Sequence, residues 1–402
     1  MPSPLATTRP AEPYAGEKER LAAAVEDARD EILDLSHRIH ANPEAAFEEH
    51  QAATWVAEIL ARHGYAVEQP AGRLATAIRA TRRGGRGGDG PRIGILAEYD
   101  ALPGLGHGCG HNTMAASGVG AAIALASIAE ELPGEIVFFG TPAEERGSGK
   151  QIMIDDGLFE GIDAALLYHP CDRSHVECYP LASEDVEVVF HGLQAHAAGD
   201  PWKGKNALDA MVLLFSSVGL WRQQLRPDAR VHGIIQEGGT AANIIPDRTR
   251  AWFMLRSPEQ SYYEHMKGRF EALARAAALA TDTTVEVTFS GGARSMNPNR
   301  TLEARWVQNA AAYGIRDEGP DPFSGSTDMA NVSWVCPTIH PDLAIADEGT
   351  PGHSILFRDA AATPRADETT LLAATLVAQT AFDLFVDPSL VEAAWAEFRA
   401  EA

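Results

Sequence analysis

Cysteine is scarce in this chain. The four present in 402 residues, Cys109, Cys171, Cys178 and Cys336, are too few and too irregularly spaced for a disulfide framework. Positive charge is scarce as well: 33 lysines and arginines face 56 acidic residues, a formal net charge of −23. Such a surface repels phosphates, so no nucleic-acid partner is expected. An anionic substrate would have to be held by a few local cations. The longest apolar stretches, near residues 119–129 and 210–220, fall short of the ~20 residues that cross a bilayer, so no membrane association is expected. The opening residues carry proline and polar side chains without the apolar stretch of a secretory signal. These absences point to a cytoplasmic protein with a disordered N-terminal segment over 1–15.

The remainder is ordinary globular composition, 45% hydrophobic and 22% charged, at a length that suggests two or three domains. Helical spacing runs over 17–39 and 52–63. Strands are predicted over 74–80 and 93–97, joined by a Gly/Arg-rich turn at 82–91. Helix 115–131, strand 135–140, helix 150–156 and strand 164–168 follow. That βαβα alternation predicts an α/β layer with helices on both faces of a mixed sheet. The middle of the chain reads strand 184–190, helix 205–221, strands 231–236 and 248–256, helix 259–280 and strand 284–290. This is the ferredoxin-like β-α-β-β-α-β order. Helices are predicted again over 302–314 and 367–385. The resulting domain picture is a catalytic body, 16–182 and 292–402, interrupted by a lid or dimerisation domain, 183–291.

Chemistry-bearing residues gather where predicted strands end. Residues 97–112 read Ala-Glu-Tyr-Asp-Ala-Leu-Pro-Gly-Leu-Gly-His-Gly-Cys-Gly-His-Asn. Ligands of open α/β sheets collect at the carboxyl ends of strands. Cys109 and His111 can address a metal ion from one loop, with Gly108 and Gly110 allowing a tight turn. The same pair also fits a buried loop cysteine beside a hydrogen-bonded histidine. Residues 141–145, Thr-Pro-Ala-Glu-Glu, place two carboxylates side by side; they repel unless a cation lies near, or unless the loop is simply solvated. His169 follows the strand-like run to Tyr168, and His353 closes the Gly/Pro loop 349–354. Each histidine alone is compatible with a structural role. Together, Cys109, His111, Glu145, His169 and His353 suffice for two ions of the zinc, cobalt or manganese type. Gly147-Ser148-Gly149-Lys150 is not a phosphate loop, because Glu144 stands at the first glycine of that motif and Gln151 replaces its Ser/Thr.

At this point the sequence resembles the dinuclear metallopeptidase and amidohydrolase family of aminoacylases, hippurate hydrolases, carnosine-type dipeptidases and glutamate carboxypeptidases. The similarity rests on residues 35–44, 100–103, 107–111, 142–145, 192–197 (Gly-Leu-Gln-Ala-His-Ala) and 238–246 (Gly-Gly-Thr-Ala-Ala-Asn-Ile-Ile-Pro). Within it, Glu98-Tyr99-Asp100 and Cys109-Gly110-His111-Asn112 look most like the p-aminobenzoyl-glutamate hydrolase and β-alanyl-lysine dipeptidase subgroup. The resemblance implies two divalent ions, zinc, manganese or cobalt, on Cys109, His111, Glu145, His169 and His353. It makes Glu144 the general base, and His196 an oxyanion donor reaching a partner subunit's site in a homodimer. Asn243 and Arg256 become a clamp on the substrate carboxylate. The implied activity is metal-dependent cleavage of the amide bond of an N-acyl amino acid or dipeptide.

Two departures stand out: other branches have His where Glu98 stands, and many members of this branch have Asp at Asn112. The latter leaves the bridging ligand open. Asp328, in Ser326-Thr327-Asp328, is either a site residue or a helix cap, and His107 is a further candidate beside the ligands. Apolar positions of the 205–221 helix suit either a dimer surface or packing on the lid sheet. Two rival readings remain: a metal-dependent binding protein with a silenced centre, which the intact Glu144 argues against, and a thiol hydrolase built on Cys109 with His111 as its base.

Overall fold

A computed structural model describes residues 14–87, 90–177, 179–319 and 325–401. The chain opens on three helices, α1 (Ala15–Asp27), α2 (Arg29–Ala41) and α3 (His50–Arg62). There follow β1 (Ala66–Glu68), β2 (Ile78–Arg83), β3 (Arg92–Glu98), α4 (His111–Ser127), β4 (Glu135–Thr141), α5 (Gly149–Asp155), β5 (Ala164–Leu166) and β6 (His169–Cys171). The expected disordered segment lies outside the described residues as far as position 13. Its last two residues are ordered: Ala15 begins α1, and the Tyr14 ring meets Phe382 edge-on at 5.7 Å.

The middle of the chain supplies β7 (Ala182–His191), α6 (Ala207–Trp221), β8 (Arg230–Glu237), β9 (Arg248–Ser257), α7 (Gln260–Ala280) and β10 (Thr284–Ala293). These strands form one antiparallel sheet in the order β10-β7-β9-β8, the arrangement the ferredoxin-like element order dictates. The sheet has its own hydrophobic cluster, in which Phe190, Phe253 and Leu255 meet Met211, Leu214 and Phe270 of the two helices. Asn206 caps α6 by accepting from Leu208 N. The α6 stripe Ala207, Ala210, Met211, Leu214, Val218 and Trp221 packs inward, whereas Val212, Leu213 and Leu220 stay exposed.

The remainder is α8 (Arg300–Ala312), α9 (Met329–Val332), β11 (Thr338–Ile339), β12 (Asp342–Ala344), α10 (Ile355–Ala360), α11 (Pro364–Val386) and α12 (Pro388–Glu401). The main sheet runs β1-β2-β4-β3-β5-β11. Strands β4, β3, β5 and β11 are mutually parallel, and β2 and β1 continue the sheet antiparallel. Strands buried on both faces read as near-continuous apolar runs, as β3 does over Ile93–Ala97. Helix α4 is buried along nearly its whole length and lies against α2, α11 and β3. By length and composition α11 could cross a membrane, but 83% of its apolar window is buried inside this fold.

Local differences from the sequence reading have tertiary causes. The helical stretch 17–39 breaks at Ala28, because α1 packs on both α4 and α11 while α2 packs mainly on α4. The strand expected over 74–80 is displaced to Ile78–Arg83. Its ladder with β4 runs on to Arg83 opposite Glu135, through arginines that read as turn residues. Helix α4 starts at His111 rather than 115, which puts that histidine in its first turn. Strands β1, β6, β11 and β12, each of two or three residues, and helix α12 were not anticipated.

Candidate metal centre

Because four strands run parallel, their carboxyl ends share one edge, and the chain leaves that edge repeatedly with charged or soft side chains. Glu98 ends β3, level with Thr141 at the end of β4. The loop after β3 carries Cys109 and delivers His111; the loop after β4 carries Glu144 and Glu145; β6, just beyond β5, begins with His169. The loop before α10 brings His353, whose N–H donates to Gly108 O at 3.0 Å. Two non-glycine residues here hold left-handed backbone, Ala143 at φ 61° and His353 at φ 53°. Such strain persists where surroundings enforce it, and Glu49 Oε1 does so at Ala143 by accepting its N–H at 2.9 Å. Gly110, at φ 79°, lies so close to Pro170 that a Cβ would come within 2.7 Å of its ring.

These loops bring all five expected ligands and Glu144 together. Donor atoms within 4.8 Å of one another form three sets: Cys109, His111 and His169; Cys109, Glu145 and His353; and Glu98, His111 and Glu144. Cys109 Sγ lies 3.5 Å from His169 Nε2, and His353 Nε2 lies 3.4 Å from Glu145 Oε2. Two donors bound tetrahedrally to one zinc-like ion stand about 3.4–3.6 Å apart. Asp100 positions the group: its main-chain O and Oδ1 lie 3.0 and 3.1 Å from His111 Nδ1, and its Oδ2 accepts from Glu145 N at 2.9 Å. His111 Nε2, Glu98 Oε2 and Glu145 Oε1 are buried with no hydrogen-bond partner. Each such atom left unpaired costs about 1–3 kcal/mol, and divalent cations would satisfy them. Thiolate, imidazole and carboxylate together suit zinc, cobalt or manganese. The residues fit the ions.

The electrostatics agree. Burial, then the adjacent His340 ring, holds His169 down at about 3, in the neutral form that ligates. Burial, then the Glu98 and Asp328 carboxylates, raises the proton affinity of Glu144 well above the ordinary carboxylate range. Burial and the Glu145 carboxylate push the Cys109 thiol up, the opposite of what a free thiol nucleophile needs. Beneath the centre, wholly buried Lys150 donates from Nζ to Glu98 Oε1 at 2.6 Å and to Asp328 Oδ1 at 2.5 Å. Burial alone would raise the Glu98 carboxyl, but Lys150 and the flanking histidines outweigh it and hold it at about 2.

The centre opens into a cleft of about 790 Å³ between the two sheets, lined by Cys109, Glu144, Glu145, His169, Asp328 and His353, with Arg256 reaching it from β9. Nε and Nη2 of Arg256 lie 3.1 and 2.9 Å from Met254 Sδ, with no carboxylate at the fork among the described residues. His196 and Asn243 do not line this cleft. They sit together elsewhere: His196 pairs with Ile244, and Ala197 N donates to Asn243 O. Asn243 precedes the first residue of β9 and Arg256 is its penultimate one. At about 3.3 Å per residue the strand from Arg248 to Arg256 spans roughly 26 Å. Within one subunit the cleft therefore receives Arg256 and not Asn243.

The description "Peptidase family M20/M25/M40" matches residues 94–354, a span that contains every ligand-bearing loop. The chain belongs to peptidase family M20. It is therefore a hydrolase acting on peptide or amide bonds. It is 37% identical to the Xaa-Arg dipeptidase of Mus musculus over 97% of this chain and 96% of that protein. It is 29% identical to a p-aminobenzoyl-glutamate hydrolase chain of Escherichia coli (strain K12), over 92% of each. A dinuclear metal-binding M20 peptidase from Bacillus subtilis shares the fold with a TM-score of 0.68 at 21% identity, covering 88% of this chain and 98% of the other.

Within this M20 chain, Asn112 donates from Nδ2 to Ser36 Oγ and Ala361 O, both at 2.9 Å, and its Oδ1 is buried with no hydrogen-bond partner among the described residues. Cys109 Sγ joins the set with His111 and His169 to the set with Glu145 and His353. Asp328 serves the buried ion pair rather than a helix cap. His107 is buried against His40, with ring centroids 6.2 Å apart and outside the three donor sets. Sequence reasoning missed Lys150, which lay in a rejected phosphate-loop match, and His340, which carried no motif. Its one available signal was the position of Glu98 where other branches have His.

Proposed function

We propose that this chain hydrolyses the amide bond of a dipeptide, or another N-acyl amino acid, that carries a free carboxylate. The observation that carries this reading is the position of Glu144. Its Oε2 stands 3.9 Å from His111 Nε2 and beside ligand Glu145, a carboxylate of high proton affinity at the mouth of the donor sets. Two divalent ions, zinc, manganese or cobalt, on Cys109, His111, Glu145, His169 and His353 would supply Lewis acidity and a water of lowered pKa. Glu144 accepts the proton of the attacking water and returns it to the departing amine, a two-way role suited to a carboxyl of raised proton affinity. Arg256, whose guanidinium faces only the weak acceptor Met254 Sδ among the described residues, pairs with the substrate carboxylate.

His196 and Asn243 act across a homodimer in this reading. Nδ1 of His196 accepts from Ala198 N and Gly199 N at 3.2 and 3.0 Å, which leaves Nε2–H as a donor for a developing oxyanion in the partner's cleft. Exposed Val212, Leu213 and Leu220 on α6, with Ile234 and Ile235 on edge strand β8, supply apolar surface for that association. A reducing, cytoplasmic setting would keep Cys109 free as a ligand. The 37% identity to an Xaa-Arg dipeptidase favours dipeptides ending in a basic residue over aminobenzoyl-glutamate. A mass-spectrometric screen of dipeptides and N-acyl amino acids with metal-loaded protein tests the reading. Cleavage abolished by chelator supports it, and the absence of any amide cleavage by ion-loaded protein refutes it.

A further inference from the structure

Two of the three donor sets share one residue, His111, which cannot serve them separately. His111 Nε2 belongs both to the set with Cys109 and His169 and to the set with Glu98 and Glu144. An imidazole nitrogen has one in-plane lone pair, so His111 Nε2 can serve one ion only. Nδ1 of the same ring faces two acceptors on Asp100, so in the neutral ring Nδ1 carries the proton and Nε2 the lone pair. That lone pair faces Glu98 Oε2 at 3.2 Å, acceptor against acceptor, with both atoms buried and unpartnered. A proton on Nε2 or a metal ion between them resolves the pair, and an ion bound at Nε2 takes the proton's place. Donors on one ion at about 2.0–2.1 Å, held between octahedral and tetrahedral angles, stand about 2.9–3.4 Å apart. Glu144, at 3.9 Å and partly exposed, meets the demand less well.

We propose that Glu98 is a further metal ligand, closing the protein shell of an inner ion held by His111, Cys109 and His169. The outer ion on Cys109, Glu145 and His353 keeps the open position. Lys150 and Asp328 are the positioning residues. The ammonium draws Glu98 Oε1 to 2.6 Å and is itself held by Asp328, so Oε2 is left facing the ion. Such partners orient ligands and tune affinity. The asymmetry matches exposure: Glu98 and His111 have fully buried side chains, whereas that of His353 is 58% exposed. An ion with a closed shell exchanges slowly, and one with an open position exchanges and reacts.

This inference rests on the dinuclear reading above, and the experiment separates the two. Wild type, Glu98→Gln and Glu98→His are loaded with cobalt(II), and bound ion per chain is measured together with the visible absorption spectrum. Wild type should hold two ions, one resisting chelator longer. Glu98→Gln should keep the outer ion, bind the inner one at least about 10-fold more weakly and change the spectrum. Glu98→His should restore occupancy with a shifted spectrum, since imidazole is itself a ligand. Two ions held by Glu98→Gln with wild-type affinity and spectrum would overturn the proposal while leaving the dinuclear reading intact; no uptake by wild type would overturn that reading instead. If Glu98→Gln does not fold, a crystal of cobalt-loaded wild type decides. Glu98 Oε2 about 2.0–2.2 Å from an ion supports the assignment, and an Oε2 not bonded to any ion overturns it.

Discussion

Cys109 Sγ lies 3.5 Å from His169 Nε2 across a sequence separation of 60 residues, and the same sulfur completes a second donor set with Glu145 and His353. A single soft atom therefore joins both halves of the centre. Replacing it with a poorer ligand should weaken both ions together. Cys109→Ser is expected to lower affinity for each by at least about 10-fold, with matching loss of activity. Metal content after dialysis against a graded chelator series measures this. Loss of one ion alone would show that Cys109 does not bridge.

Glu144 is expected to move protons rather than hold metal. Glu144→Gln keeps the shape and removes the base, so turnover should fall by about 10²–10⁴-fold while two ions remain bound. Steady-state kinetics paired with metal analysis checks this. Lost metal would reassign Glu144 as a ligand.

Arg256 reaches the cleft with its guanidinium held, among the described residues, only by the weak acceptor Met254 Sδ. Hydrogen bonds to charged groups contribute about 1.5–3 kcal/mol, so Arg256→Ala should raise KM roughly 10- to 100-fold for substrates with a free carboxylate. Little change in kcat is expected, and little change for C-terminally amidated analogues. Equal losses for acid and amide substrates would remove Arg256 from this role.

Glu303 on α8 gives a pH signature remote from the centre. Burial raises its carboxyl to about 7, against the opposing pull of Arg300 and with Glu177 and Glu397 nearby. The unfolded chain has an ordinary value of about 4.3. Between these values the folded state keeps a proton that the unfolded state has released, so stability falls as pH rises through this window and the contribution is gone above it. Glu303→Gln should flatten that fall. Melting temperatures of both proteins from pH 5 to 8 test it, and parallel curves would contradict it.

The parts of this molecule that declared themselves in sequence were those with a period or a motif. The β-α-β-β-α-β order was legible because strands of eight to ten residues, β9 with clear alternation, are separated by helical stretches, and the ligand loops because Gly, Pro, Cys, His and Glu cluster where apolar runs stop. What stayed hidden depends on contacts across the chain. Lys150 becomes a buried ion-pair partner only because α5 meets the start of α9. His340 reaches His169, with ring centroids 5.3 Å apart, from just beyond a strand of two residues. Arg256, near the end of β9, reaches the cleft, whereas Asn243 lies in the turn before that strand and does not line it.

The central claim is that five side chains from four separate segments of the chain hold a pair of ions through one shared sulfur. Diffraction from the ion-loaded protein at the metal's absorption edge tests this most directly. The account predicts two anomalous peaks per chain, both bonded to Cys109 Sγ, with Glu145 and His353 around one and His111 and His169 around the other. Peaks elsewhere, or none at these five side chains in protein that has taken up metal, would contradict it.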